Sequence, residues 1–179
     1  MYYYAIQVKT RSEEKFIRLF NTMFSGSQIK IFFPKRTLPI RRRGMVTQAT
    51  SAVFPGYLFL QSEETFSNDF YWNLRRLEGF YRFLKTGRYI EPLSGKNLEV
   101  VLHFINKIGP LAGLSQVCFD DDSRIVVLSG PLAGLEGNIV KVDKRKKRAK
   151  IRLDIYEDSF LIDLGFELIE HSSKKQTAS

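Results

Sequence analysis

Two unlike halves joined at a breaker cluster predict an α+β protein. A two-layer domain with helices on a mostly antiparallel sheet comes first, and a small all-β barrel follows. Three observations carry this prediction. Residues 1–110 alternate strand-like and helix-like periodicities, whereas residues 111–179 show no helical period of any length. Of 24 aromatic residues, 20 precede the cut, and charge divides with them: 17 basic against 8 acidic residues before it, 11 of each after it. The seam reads Gly109-Pro110-Leu111-Ala112-Gly113, a run that ends a helix and opens a connector. The expected partition is a first domain over residues 1–109, a linker over 110–121, a barrel over 122–171 and a disordered tail over 172–179.

In the first half, Tyr2 to Lys9 is an aromatic and β-branched run suited to a strand. A helix capped by Ser12 should follow. Glu13 and Glu14 fall in its first turn, and Phe16, Phe20, Met23 and Phe24 recur at helical spacing before Gly26. Ile29 to Phe33 and Val53 to Leu60 read as strands flanking a polar, Arg-rich connection. Asn68 caps a short helix with Tyr71, Leu74 and Leu77 inward, Phe80 to Leu84 forms a strand, and Ser94 opens a third helix. The apolar positions of that helix are Leu98, Val101, Leu102, Ile105 and Ile108, and Gly109-Pro110 stops it.

In the second half, Arg124 to Leu128, Gly137 to Val142, Ala149 to Ile155, Phe160 to Leu164 and Phe166 to Ile169 are five short strands separated by turn residues. That spacing suits a small barrel.

Composition narrows the function classes. The net charge of +9 points to a polyanionic partner. There is neither a membrane-length apolar run nor a signal-peptide pattern, so a cytoplasmic protein without a membrane partner is expected. Cys118 is the only cysteine, and with only His103 and His171 beside it no disulfide, zinc site or other cofactor is expected. Neither histidine belongs to a nucleophile motif, and Asp120-Asp121-Asp122 reads as a turn, so an enzyme is not expected.

Three motifs remain. Val126 to Val140 contains Gly130-Pro131, Gly134 and Gly137. A phosphate-cradling loop would need a helix immediately afterward, but a strand follows, so the glycines serve a tight turn between strands. Phe54-Pro55-Gly56-Tyr57 places a stiff Pro-Gly pair at the mouth of an apolar strand. Its aromatics either pack inward or stand out as a rigid binding surface. Basic residues collect in two places: Lys35, Arg36, Arg41, Arg42 and Arg43 before the Val53 strand, and Lys141 to Arg152. The second cluster holds Lys144, Arg145, Lys146, Lys147, Arg148, Lys150 and Arg152, on a hairpin whose alternation sets Lys150 and Arg152 opposite Ile151 and Leu153. Either run is a solvated loop or a phosphate-backbone contact.

Four blocks in order carry a family resemblance: Tyr4-Ala5-Ile6-Gln7-Val8 leading to Glu13-Glu14-Lys15; Phe54-Pro55-Gly56-Tyr57-Leu58-Phe59; Ser129 to Gly137; and Asp163-Leu164 with Phe166-Glu167-Leu168-Ile169-Glu170. The chain resembles the NusG family of transcription elongation factors over about residues 3 to 170. The resemblance implies an NGN-type first domain and an SH3-like KOW barrel, with a monomeric, non-enzymatic role in elongation and antitermination. It implies that Phe54, Pro55, Gly56 and Tyr57, with Tyr3 beside them, grip the clamp helices of RNA polymerase. Upstream DNA would lie near Lys35 to Arg43. The Leu132 and Leu135 turn and Tyr156-Glu157-Asp158 depart from general NusG sequences, which puts ribosomal protein S10 and Rho in doubt as partners. The hairpin charge, Phe83-Leu84-Lys85-Thr86 and the Asp154 to Glu170 close resemble the specialised paralogue group LoaP, implying recognition of a nascent RNA leader hairpin by the barrel. A general NusG coupling polymerase to ribosome or Rho, and a ribosome-associated KOW protein, are the competing readings.

Overall fold

The computed structural model of the chain describes residues 1–84 and 90–169. Strand β1 (Tyr2–Val8) runs into helix α1 (Glu13–Met23), followed by β2 (Lys30–Phe32), β3 (Lys35–Arg42), β4 (Met45–Ala52) and β5 (Tyr57–Ser62). Helix α2 (Asn68–Arg75), β6 (Phe80–Phe83) and α3 (Gly95–Leu102) complete the first domain, and a wider π-type turn at His103–Lys107 prolongs α3.

The first sheet is antiparallel in the order β2-β5-β1-β6. Alternation along its central strands sorts side chains to two faces. Tyr4, Ile6, Val8, Leu58 and Leu60 meet Phe16 and Phe20 of α1 and Leu74 of α2 in one buried cluster. Ala5 and Phe59 point the other way, into a cluster with Phe54, Val101 and Phe104. The third helix thus covers the sheet face opposite α1.

The barrel is a five-stranded sheet ordered β10-β11-β12-β8-β9, built from β8 (Ser115–Phe119), β9 (Ile125–Ser129), β10 (Ile139–Asp143), β11 (Arg148–Ile155) and β12 (Asp158–Leu168). On β11, Ala149, Ile151, Leu153 and Ile155 are buried while Lys150, Arg152 and Asp154 lie on the other face, as the alternation predicts. The α+β class with a small all-β second unit is the architecture observed.

Several expectations are corrected. The Arg-rich connection is a regular hairpin, β3 paired with β4 from Lys35↔Ala52 to Arg42↔Met45. Arg43 and Gly44 close it at φ 48° and 81°, the left-handed pair that matches strand twist. The span 110–121, expected to be a linker, carries β7 (Leu111–Ala112), which pairs with β3, and β8, which belongs to the barrel. Ser67 rather than Asn68 caps α2, its Oγ accepting from the Phe70 N–H at 3.3 Å. Ser12 precedes α1 without a side-chain cap bond. The two final strands are one, β12, paired with β11 along its first eight residues. The proposed tail, Glu170, and Lys85 and Thr86 of the LoaP-like segment lie outside the described residues.

Candidate functional site

The Pro55-Gly56 turn is fixed from three sides. Gly56 adopts φ 81°, and a Cβ there would stand 2.7 Å from Thr10 Oγ1. Its N–H donates to Glu13 Oε1 at 2.7 Å, and its carbonyl accepts from the Val8 N–H at 2.8 Å. Glu13 is buried for this purpose, which explains an acid in the first turn of α1 that faces inward rather than to solvent.

The flanking aromatics are held rigidly but are not open. Phe54 is 1% exposed and meets three rings edge-on: Phe59 at 5.5 Å, Phe104 at 5.3 Å and Phe160 at 5.2 Å between centroids. Phe160 comes from β12 of the barrel. It also stands edge-on to half-buried Tyr57 at 4.9 Å. Tyr3 is half-buried on the same sheet face, its hydroxyl accepting from Gln61 Nε2 at 3.1 Å, and Pro55 is exposed. The strip expected to face a partner therefore packs against the chain's own second domain.

Polar ties surround this contact. The Tyr57 hydroxyl donates to Asp158 Oδ2 at 3.3 Å, and Arg82 Nη2 donates to the same oxygen at 3.1 Å. Burial, and then the neighbouring Asp158 carboxylate, hold the Tyr57 phenol above its ordinary pKa. The Tyr156 N–H donates to Asn97 Oδ1 at 2.7 Å, and His103 Nε2 lies 3.0 Å from the Pro131 carbonyl. Thus the Tyr156-Glu157-Asp158 turn, singled out as a departure from general NusG sequences, is the turn that docks on the first domain. Leu132 and Leu135 are buried in the same cluster as Phe54 and Phe104.

The glycine turn is architectural at two of its three glycines. Gly130 and Gly134 adopt φ 92° and 88°, and a Cβ on Gly130 would meet Ser115 Cα at 2.7 Å. Ser115 Oγ accepts from the Leu132 N–H at 2.9 Å beside buried Pro131. Gly137 meets nothing within 4 Å.

The basic residues divide into exposed and engaged groups. Arg41, Arg42 and Arg43 are exposed at the far end of the β3–β4 hairpin. Lys35 instead pairs with Glu14, and Arg36 Nη1 donates to the Val53 carbonyl at 3.2 Å, so these two are not part of that tip. Burial pushes the Arg36 guanidinium down from its ordinary pKa, with Asp163 opposing and Arg148 adding to the shift. In the second cluster Lys144, Arg145, Lys146 and Lys147 form an exposed turn, with Lys144 Nζ 3.9 Å above the Phe119 ring. Arg148 Nη2 donates to the Pro39 carbonyl across the seam at 2.6 Å. Lys150 pairs with Asp163 at 2.7 Å, and Arg152 lies 3.6 Å from Asp154.

Phe160, Arg82 and Phe104 complete the site and were not singled out from sequence, whereas Glu13 and Asp158 were named there without the roles they take in the structure. Phe160 left one signal, as one of only four aromatics after residue 110. The pairing of Glu13 with Gly56 spans 43 positions and left none. Among the described residues, no helix is long and apolar enough to cross a membrane.

Comparison with known proteins gives one consistent result. Residues 1–102 match the family model described as "Transcription termination factor nusG". The transcription termination/antitermination protein NusG of Thermus thermophilus is 26% identical over 152 residues, covering 80% of this chain and 83% of that protein. Its counterpart from Borreliella burgdorferi is 22% identical over 178 residues, covering 94% and 97%. A solved structure described as "Domain interaction in Thermotoga maritima NusG" shares the fold at a TM-score of 0.54 and 18% identity, covering 92% of this chain and 93% of that one.

Proposed function

The chain belongs to the NusG family, and on that premise we propose that it is an elongation factor that docks on the clamp helices of RNA polymerase and promotes processive antitermination. The observation that carries this reading is the Phe54–Tyr57 strip: two aromatics on a Pro-Gly turn fixed by Glu13 and covered by a single ring, Phe160, from another domain. Such a strip is pre-organised, so little conformational entropy is lost when a partner replaces Phe160. Phe54, Pro55, Gly56, Tyr57 and Tyr3 would form the polymerase contact once the barrel moves away.

The remaining charges fit two phosphate contacts. Arg41, Arg42 and Arg43 reach the end of the hairpin, where upstream DNA would pass, and their contribution would be independent of sequence and salt-sensitive. Lys144 to Lys147, flanked by Arg148, Lys150 and Arg152, would contact a nascent RNA leader hairpin, the specialised behaviour that the LoaP resemblance implies. Carried on the same chain, the barrel would stay tethered near the polymerase at high effective concentration.

The test is a polymerase pull-down with Tyr57→Ala in a Phe160→Ala background, where the strip is no longer covered by its own barrel. Retention falling about tenfold against Phe160→Ala alone supports the docking face, since each 1.4 kcal/mol is tenfold in affinity. Equal retention by the two folded proteins would sink it.

A further inference from the structure

At the seam between the domains, two cations, Lys150 and Arg36, share the influence of one carboxylate, Asp163. Lys150 Nζ lies 2.7 Å from Asp163 Oδ1, while Arg36 feels both the attraction of Asp163 and the repulsion of Arg148. The Nε–H groups of Arg36 and Arg148 are buried without a hydrogen-bond partner. Burying charged donors unpaired is unfavourable, so this part of the seam is undercompensated. Arg148 gives its interdomain hydrogen bond to a neutral acceptor, the Pro39 carbonyl.

On the barrel side, Lys141, Asp143, Lys146, Arg148, Lys150 and Asp163 line a cleft of about 150 Å³. Four cations face two carboxylates there. Both carboxylates are already engaged, Asp163 with Lys150 at 2.7 Å and Asp143, whose Oδ1 accepts from the Lys146 N–H at 2.8 Å in the hairpin turn. The cleft opens beside the exposed turn Lys144 to Lys147, so an anionic polymer entering it would keep further phosphates within reach of those cations.

We propose that this cleft binds a backbone phosphate of RNA, and that the phosphate draws Arg148 off the Pro39 carbonyl, linking RNA binding to opening of the seam. The inference rests on the reading above that the barrel contacts RNA. An anionic acceptor makes a stronger bond to a guanidinium than a carbonyl does, which favours the exchange. Because the linkage is reciprocal, an open seam must in turn strengthen RNA binding by the same factor. RNA emerging from the polymerase would thereby help to bare the Phe54–Tyr57 strip.

The experiment uses the full chain labelled at Glu63→Cys and Asp121→Cys, with the interdomain distance distribution followed during titration by a short RNA hairpin and, separately, by inorganic phosphate. The hairpin is expected to broaden the distribution, and Arg148→Ala to broaden it without RNA. Lys146→Glu alone, and Lys146→Ala with Lys150→Ala, should each weaken RNA binding about tenfold and flatten its salt dependence. The single variant lies on the exposed turn and keeps the test alive should the double variant fail to fold. RNA that binds the parent while the distribution stays closed overturns the linkage and leaves RNA contact standing. Parent-like binding by Lys146→Glu overturns the cleft. Inorganic phosphate opening the seam as fully as RNA identifies the free anion as the ligand and overturns the RNA assignment. No binding of the hairpin by the parent overturns this inference together with the RNA reading beneath it.

Discussion

The Phe160 ring stands edge-on to Phe54 with centroids 5.2 Å apart and planes at 87°, so one barrel side chain fills the centre of the first domain's apolar strip. The same ring meets Tyr57 at 86°. Two edge-to-face contacts therefore converge on one ring, each stabilising the seam beyond the area it buries.

Removing that ring should open the seam without unfolding either domain. Phe160 is half-buried, so Phe160→Ala should cost about 2 kcal/mol, below the range for a fully buried ring. That loss shifts the closed-to-open ratio about thirtyfold. Limited proteolysis near Gly113 should accelerate correspondingly, and an unchanged cleavage rate would show that the ring does not hold the domains together.

A second variant reaches the seam from its other end. A Cβ on Gly165 would stand 2.9 Å from Pro39 Cδ and 3.2 Å from the Thr37 carbonyl, besides meeting the side chain of Leu114. Gly165→Ala should therefore push β3 off β12 at a cost of about 1–3 kcal/mol. The Tyr156 amide, bonded across the seam to Asn97, is the reporter, and its hydrogen exchange should quicken.

Tyr57 makes the seam sensitive to alkali. Its phenol titrates above its ordinary value in the folded protein because of burial and Asp158, so the unfolded chain loses that proton first as pH rises. Stability from this group is then fully present below about pH 10 and lost as pH climbs through the raised folded value. Urea unfolding should show a steeper decline with pH above 10 for the parent than for Tyr57→Phe. Identical slopes would remove Tyr57 from the account, leaving Tyr4, whose phenol is raised chiefly by burial, as the remaining contributor.

The glycine turn offers a matched pair. Gly130→Ala combines left-handed backbone with a contact to Ser115 Cα that cannot move aside, and should cost about 2 kcal/mol or more. Gly137→Ala has open space and should stay within about 0.5 kcal/mol of the parent. Thermal midpoints of the two variants distinguish these outcomes directly.

Much of the fold was legible because it rests on local pattern. Tyr2 to Lys9 is an aromatic and β-branched run, Phe16 and Phe20 lie one turn apart on α1, and Ile151 and Leu153 alternate with Lys150 and Arg152. Composition in the first case, and period in the other two, places these residues against a core. The β3–β4 hairpin was not legible, since its Arg41-Arg42-Arg43 run and exposed Met45 and Val46 carry no alternation that marks a buried face. Ser115–Phe119 was missed as a strand because the Gly-Pro seam before it reads as a connector, and only parallel pairing with Phe166–Leu168 reveals its place.

For the site, residue chemistry by itself determined the ingredients: a stiff Pro-Gly turn between aromatics, a glycine turn between strands, and two concentrations of positive charge. Tertiary structure decided which of these are available. It set Phe160 over Phe54, turned Glu13 inward to hold Gly56, and divided the basic residues into an exposed hairpin tip, an exposed barrel turn and an engaged seam around Asp163. The physical reason is distance along the chain. Helical and strand periods act over a few residues and can be read in one pass, whereas Tyr57–Asp158 and Pro39–Arg148 join positions 101 and 109 apart, which only folding brings together.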